Sequence, residues 1–316
     1  MSSEIVLNID ALSKTFNYGK IRAVSDVHLS VRKGELFGII GPDGAGKTTL
    51  FRILATLLQP DSGSVSVDGM DLFSDYKSIR KHIGYMPGKF SLYPDLTVME
   101  NLQFFASIFG TTVKKNHYLI KDIFYRLEPF VNRKAGELSG GMKQKLALCC
   151  SLIHAPSILF LDEPTTGVDP SSRYEFWEIL RKLKDAEISI LVSTAYMDEA
   201  SRCDRISMMN LGGFIATGVP KNIIESFDKT LLAISSDDMF RLLGDLRQIN
   251  DIEECYTFGS NHHVRLSDKQ IEISYLRKIL EEQYNHRNVV ITCCKPTIED
   301  CFMKESKKEY SYETYN

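Results

Sequence analysis

Residues 36–58 read LFGIIGPDGAGKTTLFRILATLL, and this stretch decides the fold. Residues 36–40 form a short, continuous apolar run, which is typical of a strand buried on both faces. A glycine-rich loop follows, and from Thr48 to Leu58 the apolar residues recur with helical spacing. Strand, glycine loop and helix in this order are the setting in which a phosphate-binding loop forms. The sequence therefore predicts an α/β fold built around such a loop.

The loop itself fits the pattern G-x-x-x-x-G-K-T. Glycines let backbone N–H groups converge on phosphate oxygens, and the following helix presents its positive N-terminus to them. In such a loop Lys47 reaches the β- and γ-phosphates of ATP, while Thr48 ligates Mg²⁺. A chance glycine turn would lack the strand before it and the helix after it. The predicted nucleotide-binding residues here are Gly41, Pro42, Asp43, Gly44, Ala45, Gly46, Lys47, Thr48 and Thr49.

A second apolar run, Ile158–Leu161, ends in two acidic residues, Asp162 and Glu163. Ligands of a parallel sheet bind at the carboxyl ends of its strands, so the two carboxylates are expected there. We predict that Asp162 holds Mg²⁺ together with Thr48, and that Glu163 orients or deprotonates the attacking water. Alone, the pair would be read as two solvated acids after a core strand. Beside the glycine loop, the predicted catalytic residues are Lys47, Asp162 and Glu163.

A third motif, Leu138-Ser139-Gly140-Gly141, places a serine and two glycines at the start of a predicted helix, where they offer donors to an anion. The three motifs in this order resemble the ATP-binding subunits of ABC transporters, a P-loop NTPase family. Thr165–Pro170 resembles that family's loop between two ATP sites, and the resemblance covers residues 4–225. It implies a head-to-tail dimer, in which Ser139, Gly140 and Gly141 contact the ATP held by the other subunit.

One aromatic residue is expected to stack on the adenine of ATP. Tyr18 stands where the family places this aromatic, at the matching distance before Ala23 and Val24. Phe16 is an alternative for the same role. A third interpretation is that Tyr18 is an ordinary aromatic side chain of a strand. The same aromatic residue types serve in stacking on ligands and in packing between strands.

Composition excludes several classes of protein. The chain has 316 residues, 43% hydrophobic and 25% charged, with a formal net charge of −3, so a nucleic-acid partner is not expected. Seven cysteines without a CxxC spacing favour reduced thiols over a disulfide framework or a zinc site. The N-terminus lacks a signal-peptide core, and no apolar run reaches the roughly 18 to 20 residues of a membrane span. We therefore expect a cytoplasmic protein, peripheral to the cell membrane, that reaches it only through a partner.

The remaining pattern predicts two domains. Residues 88–155 look mainly helical and interrupt the alternation of strands and helices, which indicates a helical subdomain within an α/β domain over 1–225. From about 226 the order becomes β-α-β-β-α-β, which is typical of a small α+β ferredoxin-like domain over 226–316. Its second helix is predicted from Ile271 to Gln283. The polar tail from Lys304 is expected to be frayed.

Within the family, the drug and polysaccharide efflux type is the most similar. Leu92–Leu102 resembles the segment of that subfamily that faces the membrane subunit, and Pro296–Phe302 resembles the start of its C-terminal helix. A helix cap at Thr297 explains the second match equally well. The resemblance implies export, separately encoded permease subunits, and a dimer formed with a second copy or with a second ATPase subunit.

Two positions depart from the family pattern. Gly88 stands where the family usually has a glutamine that helps to hold Mg²⁺ and water, and Ala195 stands where it usually has a histidine that contacts the γ-phosphate. We therefore hypothesise slow hydrolysis at the site of Lys47, and a dimer with a second ATPase subunit that keeps both residues. A regulatory subunit that binds ATP without useful hydrolysis is an open alternative.

A further alternative keeps the fold and changes the role, to a soluble ABC ATPase that acts on ribosomes or DNA. Such relatives carry a second ATPase domain, a long coiled coil or a basic patch, and the sequence has none of these features. Three histidines outside the motifs, His262, His263 and His286, lack partners at metal-ligand spacing and are predicted to be surface residues.

Overall fold

The computed structural model of the protein describes residues 4–89, 91–267 and 272–313, with side chains through residue 307. Ile271, the predicted start of a helix, lies outside the described residues. The chain divides into two compact units: one runs to Pro220 and includes the chain from Glu305, and the other is Lys221–Lys304. The domain boundary that the sequence suggests, between residues 225 and 226, stays a prediction. Each unit is described by itself below.

Two sheets build the first unit. A six-stranded sheet has the order β10-β9-β3-β8-β7-β6 and is parallel apart from the β9–β10 pair, and an antiparallel sheet has the order β2-β1-β4-β5. The α/β prediction is confirmed. The strands are β1 (Ile5–Phe16), β2 (Ile21–Arg32), β3 (Leu36–Ile40), β4 (Ser62–Val67), β5 (Met70–Asp71), β6 (Ile83–Met86), β7 (Ile158–Asp162), β8 (Ser189–Thr194), β9 (Arg205–Asn210) and β10 (Gly213–Gly218).

Helices connect these strands, and three of them fall within the range predicted to be a helical subdomain. Short 3₁₀ turns at Glu128–Phe130, Ala135–Glu137 and Met197–Arg202 link some of the elements. None of the helices in the described ranges combines the length and the hydropathy that a membrane span requires. The helices are α1 (Lys47–Leu54), α2 (Tyr76–His82), α3 (Val98–Ile108), α4 (His117–Phe124), α5 (Gly140–Leu152) and α6 (Pro170–Asp185); α7 (Pro220–Glu225) follows β10 and lies in the second unit from Lys221 onward.

The central strands β3, β7 and β8 are buried along their whole length. Their continuous apolar runs suit a parallel sheet that is covered on both faces. The register pairs Ile40 with Thr194 and Asp162 with Ser193, so these strands end at one edge of the sheet. The loops that follow them therefore meet there, at the edge where α/β proteins bind ligands.

The second unit has the predicted β-α-β-β-α-β order. Its strands are β11 (Leu231–Ser235), β12 (Ile252–Phe258), β13 (Asn261–Leu266) and β14 (Val290–Cys293), and its helices are α8 (Met239–Leu246), α9 (Ile273–Lys278) and the start of α10 (Ile298–Glu313). A π-helical turn, Ile279–Gln283, continues α9. The antiparallel sheet order β12-β13-β11-β14 is that of a ferredoxin-like domain, which confirms the prediction.

Two expectations about the C-terminal region are wrong. The tail from Lys304 is helical through Glu313, because Thr297 and Asp300 cap α10 reciprocally: the Asp300 carboxylate accepts from the Thr297 N–H at 2.7 Å, and the Asp300 N–H donates to Thr297 Oγ1 at 3.4 Å. The three histidines predicted at the surface are buried, each with a hydrogen-bond partner: His262, His263 and His286.

A buried asparagine fixes the segment before α3. The Asn101 amide donates to the carbonyl oxygens of Tyr93, Leu96 and Thr97 at 2.9–3.2 Å, and its Oδ1 accepts from the Tyr93 N–H at 3.0 Å. The Asn101 side chain is 0% exposed, so water does not reach these backbone groups as an alternative hydrogen-bond partner. Asn101 therefore holds the loop that leads into α3 in one conformation.

We expect Asn101→Leu to destabilise the first unit by about 2–4 kcal/mol, because it leaves several buried backbone groups unpaired. Urea unfolding followed by Trp177 fluorescence measures this change, since Trp177 is the one tryptophan of the chain and is buried in this unit. Gln103→Leu, at an exposed position of the same helix, is the control and should change stability by less than about 0.5 kcal/mol. Equal effects of the two substitutions would contradict the role of Asn101.

Candidate functional site

The loop between β3 and α1 has a backbone that only glycine permits at two positions. Gly46, which caps α1, has φ +109°, and a Cβ there would lie 2.0 Å from the carbonyl oxygen of Ala23. A Cβ on Gly41 would lie 2.2 Å from the carbonyl oxygen of Met209. The loop is therefore pressed against neighbouring backbone, and its glycines are required for close packing as well as for the turn.

Lys47 lies inside the loop. Its Nζ donates to the carbonyl oxygens of Gly41 at 2.7 Å and Pro42 at 2.9 Å, and lies 3.1 Å from Glu163 Oε1. The side chain is only 3% exposed, so this buried cation depends on those three oxygens. Lys47 and Glu163, both predicted from sequence, are thus brought into contact, and the amine has an anionic partner that a phosphate can replace.

Asp162 and Thr48 provide oxygen ligands beside the amine. Asp162 Oδ1 accepts from Thr48 Oγ1 at 3.3 Å and from Ser193 Oγ at 2.8 Å. Burial raises the pKa of Asp162, and the negative charge of Glu163 adds to the effect, while the hydrogen bonds from Ser193 and Thr48 partly offset it. A carboxylate and a hydroxyl are the donors that Mg²⁺ prefers, so the residues present fit this ion. Ser193 was not predicted, although it stands at the end of a buried strand.

Glu163 adopts a strained backbone. Its φ is +49°, in the left-handed region, which costs a residue with a side chain about 1–2 kcal/mol. Its N–H donates to Ser193 Oγ at 2.9 Å and lies 3.2 Å from the Ser193 carbonyl oxygen, and Thr166 Oγ1 donates to its carboxylate at 3.3 Å. These bonds hold the turn after β7. Such strain is typical of functional sites, where it fixes the direction of a side chain.

Both positions that depart from the family pattern border this carboxylate pair or the glycine loop. A Cβ on Gly88 would lie 3.1 Å from the carbonyl oxygen of Asp162 and 3.6 Å from Glu163 Cβ. Ala195 directly follows Thr194, whose carbonyl oxygen accepts from the Gly41 N–H at 3.2 Å. A longer side chain at either position would therefore start beside the residues that are predicted to hold ATP and Mg²⁺.

A buried carboxylate that sequence reasoning missed joins two of these loops. Glu199 is 2% exposed, and its Oε2 accepts from Thr194 Oγ1 at 2.5 Å and from Thr165 Oγ1 at 3.2 Å. Arg173 Nε lies 3.6 Å from Glu199 Oε1. Glu199 thus ties the segment before Ala195 to the segment after Glu163. The sequence offered no signal for this, because glutamates near helix starts are common.

The Ser139 motif forms a second group on the same unit. Ser139 caps α5 by accepting from the Met142 N–H at 3.4 Å, and both Ser139 and Gly140 are exposed. A Cβ on Gly141 would lie 2.7 Å from Ser172 Oγ, so this helix start packs on the start of α6. The helix carries no acidic residue in its first turn, which suits an anion.

Tyr18 is fully exposed in the hairpin loop between β1 and β2, with a relative exposure of 108% and φ +56°. Phe16, the alternative, is 39% exposed and ends β1. A large aromatic ring that is left entirely in solvent is available for stacking on a planar ligand. Tyr18 is the more exposed of the two rings, and its stacking on adenine stays a prediction.

Known proteins are similar to this chain in sequence and in fold. The family profile described as "ABC transporter" matches residues 24–166. The chain is 41% identical over 224 residues to the Nod factor export ATP-binding protein I of Burkholderia lata, a match that covers 70% of this chain and 74% of that protein. The chain belongs to the ABC transporter ATP-binding family. As a member, it carries an ABC-type ATPase domain.

Another relative of this ABC protein is longer. The probable multidrug ABC transporter ATP-binding protein YbhF of Escherichia coli is 44% identical over 226 residues, which are 71% of this chain and only 39% of YbhF. Among solved structures, cbiO1 from Clostridium perfringens, part of the ABC transporter complex cbiONQ, matches with a TM-score of 0.63 and 25% identity, over 71% of this chain and 92% of that one. A dimeric ATP-binding cassette in a post-hydrolysis state, bound to ADP and Pi, matches with a TM-score of 0.61 and 26% identity, over 67% of this chain and 98% of that one.

The raised pKa of Asp162 predicts the direction of a stability change in this ABC ATPase domain when neither nucleotide nor Mg²⁺ is bound. An acid whose pKa is raised by folding destabilises the fold once pH rises through that pKa, so Asp162→Asn should raise the melting temperature at pH 7. The gain should shrink as pH falls toward 3.8, the ordinary aspartate value. Calorimetric scans across this pH range provide the measurement.

Asp61 is the matched control. Hydrogen bonds from Lys14 and Thr15 lower its pKa to about 2, so its charge stabilises the fold above the ordinary value and the benefit is lost in acid. Asp61→Asn should therefore lower the melting temperature at pH 7, the opposite sign. A loss of stability in both variants would refute the proposed cost of burying the Asp162 charge.

Proposed function

We propose that this chain is the ATP-binding and hydrolysing subunit of an ABC-type membrane exporter. The observation that carries the proposal is the buried Lys47 amine beside Glu163, with Asp162 and Thr48 at the same strand edge. The family relatives that support export are described as multidrug and Nod factor export proteins. Drugs, or a compound similar to a Nod factor, are the cargo that the names of these relatives suggest for this chain.

In the proposed reaction Lys47 leaves Glu163 and binds the β- and γ-phosphates of ATP, and Thr48 and Asp162 would hold Mg²⁺. The bound ion would neutralise charge on the phosphates. Glu163, freed from the amine, orients the attacking water and takes its proton. Burial around Asp162 and Lys47 strengthens each of these interactions, because water is excluded from the site.

We further propose that ATP joins two ATPase subunits. Ser139 and Gly140 are exposed at the N-terminus of α5, on the same unit as Lys47. Their contacts are separate from those of Lys47. An anion-binding helix start turned to solvent is suited to the phosphates of a nucleotide held by another subunit. The dimeric cassette with ADP and Pi among the similar structures is consistent with this arrangement.

A membrane permease is the proposed second partner. A cavity of about 420 Å³ adjoins Pro87, one residue before Gly88, and apolar side chains from β6, from α3 and from the segment after α1 line it. Such a groove suits a short helix of a permease, because an apolar helical face buries well between apolar walls. We place the subunit on the cytoplasmic face of the membrane, attached through this permease. The residues named for the groove are Leu57, Tyr85, Met86, Phe105, Ile108 and Phe109.

Gly88 and Ala195 favour an asymmetric dimer. Neither residue has a polar side chain, and both positions border the catalytic carboxylates or the glycine loop. Loss of one preorganised donor at a reacting group commonly costs about 10²- to 10³-fold in rate. The site of Lys47 is therefore the slow one, and a second ATPase subunit supplies the fast one, to which this chain donates Ser139. The same two residues favour a second candidate, a regulatory subunit with negligible hydrolysis.

We expect the combined substitution of Gly88→Gln and Ala195→His to raise ATP turnover by this chain about 10- to 100-fold, since the glutamine would again help to hold Mg²⁺ and water and the histidine would again contact the γ-phosphate. Release of inorganic phosphate at saturating Mg-ATP is the measurement. Ala186→His, at an exposed position after α6, controls for the added imidazole and should leave turnover unchanged. Brisk turnover by the unaltered chain alone, or no gain in the double variant, would defeat the asymmetry argument.

Ser139→Arg tests the dimer separately from nucleotide binding. The bulky side chain covers the start of α5, so pairing in Mg-ATP should be lost while ATP affinity at Lys47 stays within about threefold. Light scattering measures pairing of the chain with itself or with a second ATPase subunit. The measurement is made in a Glu163→Gln background, which is expected to slow hydrolysis. Ser64→Arg, on an exposed strand position, is the control. Unchanged pairing in Ser139→Arg would overturn the proposed interface.

A further inference from the structure

Three reactive side chains meet in the second unit, outside the sequence motifs that are predicted to bind ATP. Cys294 follows β14, His263 lies on β13, and Asp300 lies in the first turn of α10. Cys294 Sγ is 4.0 Å from His263 Nε2, and His263 Nδ1 is 2.6 Å from Asp300 Oδ1. His263 is 5% exposed, whereas Cys294 is partly accessible to solvent. The order thiol, imidazole, carboxylate is that of an activated nucleophile with its base and orienting group.

The carboxylate of this group is surrounded by donors. Asp300 Oδ2 accepts from the Thr297 N–H at 2.7 Å and from Thr297 Oγ1 at 2.6 Å, and Oδ1 accepts from the Tyr256 hydroxyl as well as from His263. Burial opposes ionisation, but these hydrogen bonds outweigh it and hold the pKa of Asp300 below its ordinary value. An ionised Asp300 keeps the proton of His263 on Nδ1, so Nε2 presents a lone pair to the thiol.

The imidazole is also fixed in its plane. The ring of Phe258 stacks on the ring of His263 with 4.0 Å between centroids and 15° between planes. A base held by stacking on one side and by a carboxylate at its far nitrogen has little freedom to turn from the sulfur. Cys294 Sγ lies 4.0 Å from Nε2, and the thiol also lies 3.7 Å from the carbonyl oxygen of Leu231.

We propose that Cys294 is a nucleophilic thiol, with His263 as its general base and Asp300 as the positioning residue, and that it reacts with disulfides of small thiols. As the sulfur attacks, its proton passes to His263 Nε2. A bond forms between Cys294 Sγ and one sulfur of the disulfide, and the disulfide bond breaks. The leaving thiolate takes the proton from His263, which yields a mixed disulfide on Cys294 and one free small thiol.

The charges around the thiol make the base necessary. Burial raises the pKa of Cys294, and the negative charges of Asp300 and of a Cys293 thiolate add to this effect, so free thiolate is scarce near neutral pH. The other charged groups on the neighbouring strands are paired, since Arg265 Nη2 lies 2.9 Å from Glu254 Oε2. Attack at neutral pH therefore depends on proton transfer to His263.

Full-length protein treated with oxidised glutathione at pH 7.5 and mapped by mass spectrometry tests the proposal. We expect the adduct at Cys294 at least 10-fold faster than at the adjacent, exposed Cys293, which serves as the internal reference. His263→Gln should slow the reaction by at least about 10-fold, because general-base catalysis commonly contributes 10² or more. Tyr275→Phe, at an exposed position of α9 outside this group, should change the rate by less than about twofold.

The pH profile of the unaltered protein decides the matter if His263→Gln fails to fold. With a general base at the thiol, the rate should rise with pH less steeply than the population of free thiolate does, because attack does not wait for ionisation of Cys294. A rate that increases tenfold for each pH unit up to pH 9 would show simple thiolate attack and overturn the proposal. Modification of Cys293 at an equal or higher rate would overturn it as well. ATP binding enters neither readout, so the result is independent of the proposed transport function.

Discussion

A lysine amine buried in a backbone cradle is the interaction on which the rest of the ATPase unit depends. Lys47 is 3% exposed, and two carbonyl oxygens and the Glu163 carboxylate neutralise and satisfy its Nζ. A buried ammonium ion without such partners would cost several kcal/mol. The cradle exists because Gly41 and Gly46 let the chain pass against neighbouring backbone, where any side chain would collide.

The parallel sheet supplies what the loop cannot provide for itself. Register places the ends of β3, β7 and β8 together, so Asp162 and Ser193 stand beside Thr48 although more than a hundred residues separate the segments. Ser193 bonds to the carboxylate of one acid and to the backbone of the next, which orders both. The site is therefore a property of the sheet edge, and a change in strand register would dismantle it.

Local chemistry explains why much of this was predictable. The glycine loop, the acid pair after β7 and the Ser139 motif each consist of adjacent residues, so each can be recognised in the sequence. The apolar residues also recur with clear helical and strand spacing. The order of the ferredoxin-like sheet also followed from element order, since few topologies suit β-α-β-β-α-β. The contributions of individual residues to ATP binding and hydrolysis stay predictions.

The features that could not be predicted from the sequence depend on contacts between distant segments. Glu199 bonds across to Thr165, and His263 meets Asp300, 37 residues further along the chain. Neither pair has a spacing that marks it in advance. The same holds for the C-terminal tail: its composition is polar, but a cap at Thr297 and burial of Cys301 start a helix that then continues to Glu313. Composition predicts solvation, whereas tertiary contacts decide order.

The affinity of the Lys47→Ala variant for Mg-ATP is the most direct test of the central claim. Removal of one partner of a buried, hydrogen-bonded charge pair costs about 2–5 kcal/mol, so calorimetric titration should show a loss of affinity of about 10²-fold or more. Lys33→Ala, at a lysine that is 60% exposed in the same unit, should bind Mg-ATP as the unaltered chain does. Equal affinity of Lys47→Ala and the unaltered chain would contradict the account.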